Sequence, residues 1–188
     1  MKPSIINRKN FLKKTVLSAA SVLVPLPFIS AQSSAFREPS FNRGQQPEKP
    51  APLKLEAVKE FVGVCHGKFD RVKEMLDGDH LLLHASFDWG GGDFESGIEA
   101  AGHVGNKEIA AYLLGKGARY NIYLACMLGH VDIVKNVLTF NPSLLNSKGP
   151  HGFTMLHHAQ KGGEESKKVE EYLQYLGAKE TKVPFYTP

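Results

Sequence analysis

Apolar residues recur three and four positions apart, each time behind a glycine or a short polar run, at four places along this chain. The copies read GKFDRVKEML from Gly67, GNKEIAAYLL from Gly105, GHVDIVKNVL from Gly129 and, more loosely, EESKKVEEYL from Glu164. Such spacing puts the aliphatic side chains on one face of a helix. Ahead of each copy runs a second short helical stretch rich in small residues, at Phe61 to His66, Ile98 to Val104, Ile122 to Leu128 and Met155 to Lys161. The pattern predicts an all-α chain of helix-turn-helix units. No such unit buries its apolar face alone, so the units must stack.

The third unit, LACMLGHVDIVKNVL, resembles the ankyrin-repeat pattern A-A-x-x-G-H-x-x-I-V-x-x-L-L, and Gly152-Phe153-Thr154-Met155-Leu156-His157 resembles its G-x-T-P-L-H with Met155 at the proline position. Gly117-Ala118 and Gly177-Ala178 close the second and fourth units as ankyrin helices close. The resemblance covers about residues 55 to 180. It implies a solenoid of about four units, with Thr154 capping a first helix, His157 hydrogen-bonded within its turn region, and Gly117 and Gly177 in the left-handed conformation that ends a helix. The stretch around residue 90, with GHVGNKEIAAYLLGKGAR and GPHG, is also similar to exported bacterial ankyrin proteins.

Departures from the repeat locate the candidate site. Gly67, Gly105 and Gly129 are 38 and then 24 residues apart, against an ankyrin period of about 33. The short interval leaves no room for a hairpin at Arg119-Tyr120-Asn121. The long one adds a surplus within His84 to Phe94, an extended finger that carries the only Trp, further aromatics, two carboxylates and three consecutive glycines. Phe87, Asp88, Trp89, Asp93 and Phe94 are therefore the candidate residues for contact with a protein partner, since aromatics on a rigid edge make good anchors. The alternative for Trp89 is that it folds back over the first unit.

Outside the repeats, residues 1–31 have a basic start, an apolar run from Val16 to Ile29 and small residues suited to cleavage after Ala31 or Ala35. Pro25 and Pro27 interrupt the run, which is shorter than the ~20 residues of a spanning helix. The stretch from Asn7 to Lys13 also resembles a twin-arginine signal with Lys9 in the second arginine's place. A signal peptide is expected, then a disordered linker at 32–54, the repeat domain at 55–182 and a tail at 183–188. The product would be periplasmic or secreted, a monomer with no membrane span. Five of the 23 basic residues precede residue 32, where no acidic residue occurs, which leaves 18 basic against 19 acidic side chains. That near balance removes the basic footprint of nucleic-acid binding.

Catalytic chemistry finds no motif. His80 and His84 have the i, i+4 spacing of two ligands on one helical face, with Asp77, Asp79 and Asp88 near in sequence, but no Cys-x-x-Cys or His-Glu-x-x-His accompanies them. No metal, cofactor or catalytic residue is expected, and His103, His130 and His157 are read as ordinary repeat positions. Cys65 and Cys126 fall in the first helices of units one and three, too far apart for a disulfide, and read as buried thiols. The expected function is protein binding outside the cytoplasm, through the extended finger and the concave face of the first helices. A metal-dependent or other enzyme at residues 80–94 and a structural envelope role are the alternatives.

Overall fold

The computed structural model of the protein describes residues 49–185. The signal peptide expected at 1–31, most of the linker expected at 32–54 and the last residues of the tail expected at 183–188 lie outside them. Four helix pairs follow one another: α1 (Leu55–Val64) with α2 (Phe69–Gly78), α3 (Gly97–Val104) with α4 (Lys107–Gly115), α5 (Ile122–Met127) with α6 (Val131–Phe140), and α7 (Met155–Gly162) with α8 (Lys167–Tyr175). Between the first two pairs stands an antiparallel hairpin of β1 (Ser86–Asp88) and β2 (Phe94–Ser96). Residues 118–121 carry no strand, as the short glycine interval requires. No helix among the described residues is long and apolar enough to cross a membrane.

Each second helix buries the stripe its sequence announces: Val72, Met75 and Leu76 in α2, Ile109, Ala110 and Leu113 in α4, Val134 and Leu138 in α6, Val169 and Leu173 in α8. The first helices pack in a row, α1 on α3, α3 on α5 and α5 on α7. Helix α5 has six residues, too few to persist alone in water. It is held from both sides: Leu124 and Met127 join the apolar cluster of the first two pairs, while Ala125 and Cys126 join that of the last two. Burying a Leu or Met side chain contributes roughly 1.5 to 3 kcal/mol, so tertiary packing maintains this helix.

Side chains also set where the helices begin. Asn106 accepts from the Ile109 N–H at 3.0 Å, Asn121 from the Leu124 N–H at 2.9 Å, and Thr154 caps α7 by accepting from His157 N–H. Gly117 and Gly177 have φ of 96° and 99°, the left-handed backbone that ends a helix. The end of the chain folds back, with Val183 N–H donating to Gly152 O at 2.8 Å and Lys148 Nζ to Pro184 O at 2.6 Å. The chain therefore stays attached past residue 182.

Cys65 and Cys126 are separate buried thiols. Burial pushes both up to about 12, with the charge of Glu95 adding to the effect at Cys65. Thiolate is the reactive form. Native protein at neutral pH is thus expected to resist alkylation at both positions and to take two labels once denatured without reductant. A denatured mass that lacks both labels would contradict this placement.

Candidate functional site

The hairpin that carries the site is made by local chemistry. Asp88 Oδ1 accepts the N–H groups of Gly90 at 2.9 Å and Gly92 at 3.1 Å, closing the turn on itself. Gly90, Gly91 and Gly92 all have positive φ, which side-chain-bearing residues adopt at a cost. In the register Phe87 faces Glu95 and Asp88 faces Phe94. Successive strand residues point to opposite faces. Strand β2 therefore sends Glu95 inward, where it is 0% exposed, and Phe94 outward, where it is 59% exposed.

This alternation divides the five candidate contact residues. Phe87 packs against the apolar core, and Asp88 is occupied in the turn. Trp89 is 39% exposed, and its indole Nε1–H donates to Glu95 Oε2 at 2.8 Å while its ring meets Phe87 edge-on. Asp93 accepts both the backbone N–H of His151 at 2.7 Å and its Nδ1–H at 2.8 Å. Phe94 is the most exposed aromatic of the five, and Asp88 and Trp89 also reach solvent.

Outside the hairpin lies a groove of about 420 Å³ between Phe94, Ser86 and the connector Arg119-Tyr120-Asn121, with Leu83 and Ile98 also lining it. Tyr120 is 41% exposed, and its hydroxyl is hydrogen-bonded with His130 Nδ1. Glu99 also lines the groove, but its carboxylate accepts from Ser96 N–H at 2.9 Å, Ser96 O–H at 2.7 Å and Asn121 Nδ2 at 3.2 Å. No described carboxylate forms an ion pair with Arg119. The open charge here is the guanidinium.

Inside the hairpin, Glu95 meets three histidines from three other segments: His66 in the turn after α1, His103 on α3, and His151 in the 3-10 turn Pro150–Gly152. One ligand-type atom from each of these four residues lies within 4.8 Å of all the others. His103 Nε2 is 2.8 Å from Glu95 Oε1 and 3.0 Å from His66 Nε2; His66 Nε2 is 3.7 Å from Oε1, and His151 Nε2 is 3.4 Å from Oε2. Burial by itself raises the Glu95 carboxyl. The imidazoles of His103, His66 and His151 oppose it, and the group ends below its ordinary value. His103 also stacks on Phe153, and its carbonyl accepts from His157 Nε2 at 2.8 Å. His157 thus reaches across to another helix pair, where the repeat pattern implies a bond within its own turn region.

The histidine pair singled out by spacing does not join this group. His80 to His84 form a 3-10 turn, in which residues four apart lie about 120° apart around the axis instead of on one face. The four residues that do converge span positions 66 to 151, so no linear spacing announces them. The one local signal is Glu95 itself, a carboxylate at the inward position of a strand. No protein-family model matches the chain, and no curated protein matches it.

Proposed function

We propose that this chain is an exported ankyrin-type repeat protein that binds another protein through the groove between the hairpin and the 119–121 connector. Four stacked helix pairs, the second and fourth closed by left-handed glycines, support the repeat reading, together with the motifs around Gly129 and Thr154. The observation that carries the binding reading is the groove wall, where exposed Phe94 and Tyr120 flank an Arg119 with no carboxylate partner among the described residues. An apolar side chain beside a carboxylate on the partner matches that wall. Aromatic anchors supply contact area, and a guanidinium binds a carboxylate through two parallel hydrogen bonds.

The test places a photo-crosslinking residue at Ser86 in the full-length protein within its native envelope. A discrete crosslinked partner is expected, weakened by Arg119→Glu and by Phe94→Ala. The latter should cost at least about 2 kcal/mol of binding if Phe94 is an anchor. Both side chains are exposed, so melting should change by no more than about 0.5 kcal/mol. Crosslinks that form equally well in both variants would place the partner elsewhere.

A further inference from the structure

We infer that His66, His103, His151 and Glu95 bind one divalent transition-metal ion of the zinc class, which fastens the hairpin to the helices behind it. The inference stands apart from the partner reading and rests on a count of protons. His66 Nδ1 lies 3.2 Å from Val62 O and 3.1 Å from Gly63 O, which only accept, so Nδ1 carries the proton and Nε2 of the neutral ring is bare. His151 Nδ1 faces the Asp93 carboxylate, so its Nε2 is bare as well.

That leaves the Nε2–H of His103 to serve both His66 Nε2 and Glu95 Oε1. The 3.0 Å bond to His66 uses it, and Oε1 is buried without a hydrogen-bond donor even though His103 Nε2 is only 2.8 Å away. With the rings neutral, His66 Nε2 and Glu95 Oε1 thus depend on one proton, and the bare His151 Nε2 lies 3.4 Å from Oε2 of the same carboxylate. Leaving a buried charged oxygen unsatisfied is expensive. A dication at the centre would serve every donor atom together, with the His103 ring taking its neutral Nδ1–H tautomer so that Nε2, bare, faces the ion.

The geometry fits such an ion. Ligand bonds of about 2.0 Å in a tetrahedral site place donor atoms about 3.3 Å apart. The three sides of the triangle formed by His66 Nε2, His103 Nε2 and Glu95 Oε1 are 3.0, 2.8 and 3.7 Å, and His151 offers a fourth ligand atom within 4.8 Å of the others, which the ion would draw in. Surrounding groups orient the ligands in the way metal sites require. Trp89 N–H holds Oε2 and leaves Oε1 as a single ligand atom, backbone carbonyls orient His66, and Asp93 orients His151.

His151 adds an independent sign. It is the one described non-glycine residue at positive φ, at 58°, a conformation that persists where its surroundings enforce it and that clusters at ligand clamps. Asp93 enforces it here through both the backbone and the ring. Three imidazoles and one carboxylate suit zinc and its first-row neighbours, whereas calcium and magnesium favour oxygen ligands. Four protein ligands make a closed, structural site.

The experiment strips full-length protein with a chelator, then titrates zinc in competition with a chromophoric chelator and records the visible spectrum with cobalt. One ion per chain and the intense bands of four-coordinate cobalt are expected. His103→Ala and Glu95→Gln should each lower zinc affinity at least about 100-fold, and Asp93→Asn by about 10- to 100-fold. His80→Ala with His84→Ala should leave it unchanged. Should a buried variant fail to fold, His66→Ala decides the matter, because that ring is about a third exposed and its loss spares the apolar core. Wild-type protein that takes no zinc from the chelator, or undiminished binding in His66→Ala, overturns the inference.

Discussion

Gly129→Ala is expected to destabilise the protein by about 4 kcal/mol or more, and to lower its melting temperature by more than about 10 °C. Two costs add. Gly129 has φ of 74°, a left-handed conformation that costs a residue with a Cβ roughly 1 to 2 kcal/mol. A Cβ there would also overlap the carbonyl oxygen of Glu165 and lie 3.2 Å from Ser166 Cα. Both belong to backbone in the turn Gly163–Ser166, which no side-chain rotation can move aside. Gly177→Ala is the control, since Gly177 has φ of 99° and nothing within 4 Å of an added Cβ. It should cost only the conformational share, about 1 to 2 kcal/mol. Equal losses from both, read by thermal denaturation, would show that the close approach at Gly129 is absent.

Acidification is expected to remove about 2 kcal/mol of stability between pH 7.5 and pH 5 through His158 alone. Burial pushes this imidazole down to about 4, against the opposing pull of the Thr154 carbonyl, with His157 and His103 nearby adding to the depression. Its Nδ1–H donates to Thr154 O at 2.8 Å, and its ring lies against Tyr123. The unfolded chain takes up the proton near pH 6.5, while the folded protein stays neutral to about 4. The contribution is therefore complete above about 6.5 and fades as the pH falls toward 4. Urea unfolding of wild type and His158→Gln at both pH values isolates the effect, because other titrating groups are common to the two proteins. A wild-type pH dependence retained in full by His158→Gln would refute it.

The Gly129 case shows how far local pattern reaches. The motif Gly129-His130 announces a turn between two helices. That the turn also presses on the backbone near Glu165 is invisible in it, since the contact joins residues about thirty-six positions apart. Thr154, Gly117 and Gly177 were legible for the opposite reason. A cap or a helix end is satisfied within a few residues, so its chemistry is written in consecutive letters.

The finger divides the same way. Its length, its glycines and its aromatics mark a special segment between the first two helix pairs, and the 24-residue interval excludes a matching one after the second. What the segment does with its side chains depends on the face each one takes. Trp89 and Asp93 look like surface contact residues in the sequence; in the fold Asp93 holds His151, and Trp89, though 39% exposed, also donates its N–H to Glu95.

By itself the sequence determined the helices, their pairing and where they stop, because spacing at 3.6 residues and capping act over a few bonds. The gathering of His66, Glu95, His103 and His151 was decided only by tertiary structure. Each comes from a different segment, and the three histidines are unremarkable among their own neighbours in the sequence. Packing of the first helices in a row, with the hairpin held against them, brings four polar groups into one buried volume. There the low dielectric makes their mutual arrangement matter far more than it would in water.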